Sequence, residues 1–141
     1  MYRAVFLFMT LFVFFFSCKS NKNIVVSNDN NDDVIFYTQV EVQPLFDGKN
    51  VDRYFREYAS KNLNMVRVAE AHSEGARGTA IVEFIIEKNG SMTNVQIVQH
   101  VHPIFDNEVH RVITRSPNKW TPGKQNGEPV RVKYQLPFIL K

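Results

Sequence analysis

Apolar residues recur along the chain with different periods, and each period predicts a different element. Val51, Tyr54, Phe55, Tyr58 and Ala59 fall at i, i+3, i+4, i+7 and i+8, the spacing of one helix face. This helix is expected to run to about Asn62, with Asn50 as its N-cap. Residues 64–74 predict a short second helical turn before Gly75. From 79 to 87 the period drops to two, with Ala80, Val82, Phe84 and Ile86 on one face of a strand. Asn89-Gly90 then predicts a type I′ hairpin, whose central positions both need φ > 0, and Met92–Gln99 returns as its second strand. Pro103 opens a helix at a position where its missing N–H costs nothing. Ile104, Phe105, Val109, Val112 and Ile113 form its apolar side, and Pro117 closes it. Finally Val130, Val132, Tyr134, Leu136, Phe138 and Leu140 alternate with Arg131, Lys133, Gln135, Pro137, Ile139 and Lys141. That pattern predicts a strand with one buried face and one basic, solvated face. Pro137 cannot donate to a ladder, so that end is expected at an edge. Helix, hairpin, helix, strand gives a small α+β domain on an antiparallel sheet.

The N-terminal pattern is of another kind. Residues 4–16 are an apolar run broken only by Thr10, behind Met1-Tyr2-Arg3. As a helix the run rises about 20 Å, short of the roughly 30 Å hydrocarbon core. A charged start, a short apolar run and a small residue describe a secretory signal peptide. The small residue is Ser17, and Cys18 follows as the single Cys of the chain, an arrangement similar to a bacterial lipobox, in which that Cys is acylated. Phe15 and Phe16 depart from it, standing where a Leu and a small residue are commoner. Residues 19–33 hold five Asn and three Asp, with only Ile24-Val25-Val26 to bury; such a stretch cannot offset its ordering entropy and reads as a flexible linker. Residues 34–42 are β-prone, enough for a short added strand, and Pro44 and Gly48 end it. The expected organisation is a signal peptide over 1–17, a lipidated Cys18 with an Asn-rich tether over 18–40, and one domain over 41–141.

Composition narrows the chemistry. At 141 residues the chain has room for one domain of ordinary size. One Cys excludes a disulfide framework and any multi-thiolate metal site. The net charge of +3 is too small to point to nucleic acid, but its distribution is uneven. Residues 111–141 carry a net +6 and residues 1–110 a net −3. His100, His102 and His110 invite a metal reading, but zinc wants at least three convergent ligands, and His102 and His110 fall at and inside a helix with no Cys. His72, Ser73 and Glu74 are contiguous and cannot converge as a triad. Gly123-x-x-x-Gly127 lacks the Lys-Ser/Thr of a phosphate loop and precedes a strand; it reads as a turn that aims the last strand. Trp120 reads as a core anchor. No catalytic, metal-binding or cofactor-binding residue is expected, and no enzyme activity.

Several short patterns together resemble a known family. They are Gln43-Pro44-x-Phe46-x-Gly48, Lys61-Asn62-Leu63, Gly78 with the hairpin 82–98, Val101-His102-Pro103, and the run from Lys119-Trp120-Thr121-Pro122-Gly123-Lys124 through Asn126-Gly127 and Pro129-Val130-x-Val132. Over about residues 41–141 they resemble the C-terminal domain of TonB in the form common among Bacteroidota. The resemblance implies a three-stranded antiparallel sheet packed by two helices. It also implies a place at the outer membrane, where TonB takes work from the ExbB–ExbD complex and pulls on receptors. The receptor's TonB box adds as a strand to the domain's exposed sheet edge, here the last strand. Arg131, Lys133, Gln135 and Pro137 are the expected partner-binding residues, with the basic side chains reading an acidic peptide or serving as edge-protecting charges. A Tyr-Pro pair usual in the family after Lys-Asn-Leu is replaced here by Met65-Val66 or Arg67-Val68. If Cys18 is an acylated N-terminus, the chain has neither the inner-membrane helix nor the long Pro-rich spacer of a working transducer, and a 22-residue tether spans at most about 75 Å. The alternative is a cell-envelope lipoprotein that uses the fold for scaffolding or peptidoglycan contact. Either way the expected location is the periplasmic side of the cell envelope, lipid-anchored to one of the membranes. A homodimer stays open.

Overall fold

The computed structural model describes residues 33–141; the expected leader, Cys18 and most of the tether lie outside them. The elements in chain order are β1 (Val34–Phe36), β2 (Leu45–Phe46), β3 (Lys49–Asn50), a π-helical turn (Val51–Phe55) running into α1 (Arg56–Asn62), α2 (Met65–Ser73), β4 (Gly78–Ile86), β5 (Met92–Gln99), α3 (Pro103–Thr114), β6 (Trp120–Thr121), β7 (Gly123–Gln125) and β8 (Glu128–Leu140). Strands β8, β4 and β5 pair antiparallel in that order, as the α+β reading expects. Two short sets complete the structure. β3, β2 and β6 form a three-stranded antiparallel sheet, and β7 folds back on β8.

The period-two pattern decides the sheet's inner face. Ala80, Val82, Phe84 and Ile86 of β4 and Val132, Tyr134, Leu136, Phe138 and Leu140 of β8 are all buried. Above them lie Phe105, Val109, Val112 and Ile113 of α3 and Val51, Phe55 and Ala59 of the first helical segment. Trp120 takes the predicted anchoring place: its ring centre is 4.6 Å from Phe55, 5.0 Å from Phe46 and 5.7 Å from Phe84. Aromatic clusters of this geometry stabilise beyond their area burial. The caps also follow the sequence. The Asn50 side chain accepts from the Arg53 N–H, and Pro103 stands in the first turn of α3 behind His102, whose Nδ1 accepts from the Ile104 N–H.

Three expectations change. The 64–74 stretch is a full nine-residue helix, α2, capped by Asn64, rather than a single turn. The Asn89-Gly90 hairpin is not type I′, because only Gly90 has positive φ (+80°). Glu87 N–H bonds Ser91 C=O and Gly90 N–H bonds Glu87 C=O, which closes a three-residue loop with glycine in the left-handed position. Paired positive φ values occur instead at Asp47-Gly48, between β2 and β3, and at Asn126-Gly127, between β7 and β8. Residues 34–40 hold the short strand read in 34–42, as β1, but they are not the end of a tether: β1 pairs with β8, and Val40 is 8% exposed. The physical reason is that Ile35 and Tyr37 pack against the core cluster, so the segment gains burial that the Asn-rich stretch before it cannot.

Candidate functional site: the outer edge of the last strand

β8 has β4 along one side over its whole length from Val132 to Leu140. Its other side is divided. β1 lies there in parallel, with Val34, Ile35 and Phe36 opposite Arg131, Val132 and Lys133, and the Tyr37 N–H donates to the Lys133 C=O at 3.0 Å. A strand residue directs its N–H and C=O to the same side, and successive residues alternate. Lys133 faces β1, so Gln135, Pro137 and Ile139 direct their backbone groups to that same outer side. Among the described residues no strand pairs with them. Pro137 therefore lacks its N–H on the outer side, and the ladder to β4 stays whole through Ile81 opposite Pro137. The expectation of an edge at Pro137 holds, while the part of the edge at 131–133 is already covered.

Next to the open part is a groove of about 400 Å³, lined by Leu63, Met65, Val68, Phe105, Pro137 and Ile139 among others. Ile139 is 65% exposed and Met65 likewise 65%. An extended segment laid along Gln135 and Ile139 would find backbone partners on one side and apolar surface beside it.

The basic, solvated face is not what the alternation promised. Arg131 makes a two-pronged contact with Glu87, Nε to Oε2 at 2.7 Å and Nη2 to Oε1 at 3.0 Å. Lys133 Nζ lies 3.2 Å from Glu83 Oε1, and Gln135 Nε2 donates to Glu83 Oε2 at 2.8 Å, with Gln96 on the other oxygen at 3.0 Å. Burial works to raise the Glu83 pKa, but the bonds from Gln135, Lys133 and Gln96 outweigh it and hold the carboxyl below its ordinary value. The side chains of Arg131, Lys133 and Gln135 are thus spent on Glu87, just past β4, and on Glu83 within it, and the backbone from Gln135 onward is what the edge offers. A signal for this was present: Glu83 and Glu87 share the odd parity of β4 and the residue after it, on the same sheet face as the odd residues of β8.

The histidines go to separate structural partners. His100 Nδ1 is 3.0 Å from Asp106 Oδ2, His102 Nε2 is 3.1 Å from Glu74, and His110 Nε2 is 3.2 Å from the Val95 carbonyl. They share a cleft between β5 and α3, but among the described residues no three His, Cys, Asp or Glu side chains are placed to hold a metal ion. Two buried carboxylates were missed by periodicity. Asp106 ties the Val101 N–H to α3. Glu108, 1% exposed, accepts from the Asn64 N–H at 2.7 Å and from Arg111. Arg111 in turn reaches the Asn62 carbonyl, so this pair clamps the α1–α2 junction to α3. The Arg111 bonds lower the Glu108 pKa against the effect of burial, and the Asn64 N–H adds to that lowering.

The Trp-Thr-Pro-Gly run has a steric reason. A Cβ at Gly90 would stand 2.6 Å from the Trp120 carbonyl oxygen, and one at Gly123 would stand 2.7 Å from Val132 Cγ2 and 3.0 Å from the Val42 carbonyl. Gly90 lets the β4–β5 loop approach Trp120, and Gly123 lets β7 pack against Val132 of β8 and the chain at Val42.

An α+β domain with an open sheet edge beside an apolar groove is an architecture for binding an extended peptide. The family model for the Gram-negative bacterial TonB protein C-terminal matches residues 69–140, and the chain belongs to that family, one of envelope interaction domains rather than of enzymes. A solved structure similar to it is the NMR solution structure of the Helicobacter pylori TonB C-terminal domain, with 20% identity, 60% of this chain and 82% of that one covered, and a TM-score of 0.36. No curated protein matches the chain. No helix among the described residues is long and apolar enough to cross a membrane.

Proposed function

We propose that this protein binds the TonB-box segments of outer-membrane receptors by strand addition and so supports energy-coupled transport across the outer membrane. The observation that carries the reading is the outward backbone of Gln135, Pro137 and Ile139, unpaired along β8 among the described residues and flanked by the apolar groove. Main-chain hydrogen bonds supply most of the affinity in such complexes, and pockets for alternate side chains supply selectivity. Of Arg131, Lys133, Gln135 and Pro137, the last two take part through their outward backbone, Pro137 by its C=O alone, while the edge at Arg131 and Lys133 is held by β1. The basic side chains contribute little to peptide charge recognition, since Glu87 and Glu83 already neutralise and hold them. Titration of the protein with TonB-box peptides from receptors of the same genome, followed by amide shifts, tests the reading. Shifts should centre on Tyr134–Leu140. Shifts confined to α1, or no binding at millimolar peptide, would overturn it in favour of an envelope scaffold that contacts peptidoglycan.

The anchoring of the protein is part of the same reading. Cys18, following a short apolar run and Ser17, is the proposed acylation site, placing the domain on the periplasmic side of a membrane. Several acyl chains anchor stably where one does not. Cys18→Ala should release the protein to the soluble periplasm or leave an unprocessed precursor. An intact mass that retains Met1 and carries no acyl group would refute it.

A further inference from the structure

Strand β1 is not part of the hairpin–helix–strand pattern, yet it occupies the edge on which the strand-addition reading depends. It has the features of a bound peptide: parallel in-register pairing over 131–133, the Tyr37 N–H on the Lys133 carbonyl, the Tyr37 ring stacked on Tyr134 at 4.6 Å and 16°, and the Lys133 ammonium 5.5 Å over the Phe36 ring. Only three residues are paired, and Phe36 is 45% exposed. After Tyr37 the chain turns away, the Gln39 N–H closing on the Phe36 carbonyl, and leaves the outer side of β8 from Gln135 onward open.

We propose that residues 34–37 are a built-in competitor for the partner-peptide edge, which an incoming strand displaces after landing on the open half of β8 at Gln135–Ile139. The inference rests on the strand-addition reading and adds to it a regulatory step and the class of peptide accepted. The landing half supplies free backbone groups and the apolar groove. The remaining half becomes available only when β1 leaves. Displacement returns residues 34–39 to the chain segment before the domain, so partner binding lengthens that segment. The peptide that replaces β1 is extended and apolar, with an aliphatic and an aromatic residue two apart where Ile35 and Tyr37 now sit. An edge that is free for only a fraction of the time binds more weakly by that same fraction.

The test uses the full chain and a synthetic peptide copying its own residues 34–40 (VIFYTQV), added in trans and followed by amide shifts. Tyr37→Pro removes the N–H that bonds Lys133 and releases β1. Ile35→Ser keeps every backbone donor and loses only packing, which guards against misfolding of the first variant. Tyr37→Pro should bind the peptide at least about tenfold more tightly than the unaltered protein, corresponding to an edge open a tenth of the time or less. Ile35→Ser should fall between, with shifts at 131–135 in both. If neither folded variant gains affinity, if the shifts lie elsewhere, or if both variants lose the fold, β1 is a fixed strand and the proposal is wrong. A TonB-box peptide run in parallel separates the two readings. Box binding along Tyr134–Leu140 with equal affinity in all three proteins sinks the competitor and leaves the receptor reading standing. Gain of VIFYTQV binding without any box binding does the reverse.

Discussion

Glu108→Gln is the most informative single change for the fold that carries the edge. The carboxylate is buried and faces only donors: the Asn64 N–H at 2.7 Å and the Arg111 guanidinium through Nε at 2.9 Å and through Nη2. Gln keeps the shape but turns one acceptor into an NH₂, which then points at a donor. Hydrogen bonds to a charged group contribute about 1.5–3 kcal/mol, and a buried donor left unpaired costs about 1–3 kcal/mol. The Arg111 side chain is 36% exposed and can turn to water, which limits the loss. The expected cost is about 2–3 kcal/mol at neutral pH. Urea unfolding read by Trp120, the single Trp and only 8% exposed, measures it directly. The pH dependence has a definite sign. The folded Glu108 pKa lies below its ordinary value of 4.5, so its stabilisation is present above that value and disappears as pH falls through the depressed folded value. The gap between the two proteins should therefore close in acid. A cost below about 1 kcal/mol at neutral pH, or a gap that persists unchanged well below that pKa, would refute the clamp. Glu57→Gln serves as the contrast: its i,i+4 partner Lys61 is exposed, and the urea midpoint should not move.

Gly90→Ala forces a side chain onto φ +80° and against the Trp120 carbonyl, so it should cost about 1–3 kcal/mol, checked by thermal melting. Gln135→Pro removes an outward N–H and leaves the ladder to β4 intact, but it also removes the side-chain bond to Glu83; it should weaken strand binding several-fold in the amide-shift titration, whereas Gln135→Ala, which loses only the side-chain bond, should bind as the unaltered protein does. Phe84→Ala, at the centre of the aromatic cluster, should cost about 3–5 kcal/mol by urea unfolding.

Much of the fold was legible because burial of a helix or strand face is a local property. The i, i+3, i+4 spacing from Val51, the alternation from Ala80 and from Val132, and Pro103 behind His102 each place a side chain without reference to any other segment. The resemblance carried by the run from Trp120 to Val132 is likewise read from adjacent residues, and the family model places the chain in the same family. Turn geometry was less legible. Asn-Gly permits a type I′ turn at 89–90 and at 126–127 alike, and the closure of Glu87 on Ser91 selects the longer loop at the first. What no local pattern contains is which strand lies beside which. Three residues, Val-Ile-Phe, are β-prone wherever they occur. Only the folded chain brings them to Arg131–Lys133, about a hundred positions away. The same holds for the charges: Arg131 and Lys133 look solvated in the alternation, and become the partners of Glu87 and Glu83 once β4 and β8 are adjacent. Periodicity thus names the face a residue occupies, while the open edge, its occupant and its carboxylate partners depend on contacts between distant segments, which only the tertiary structure decides.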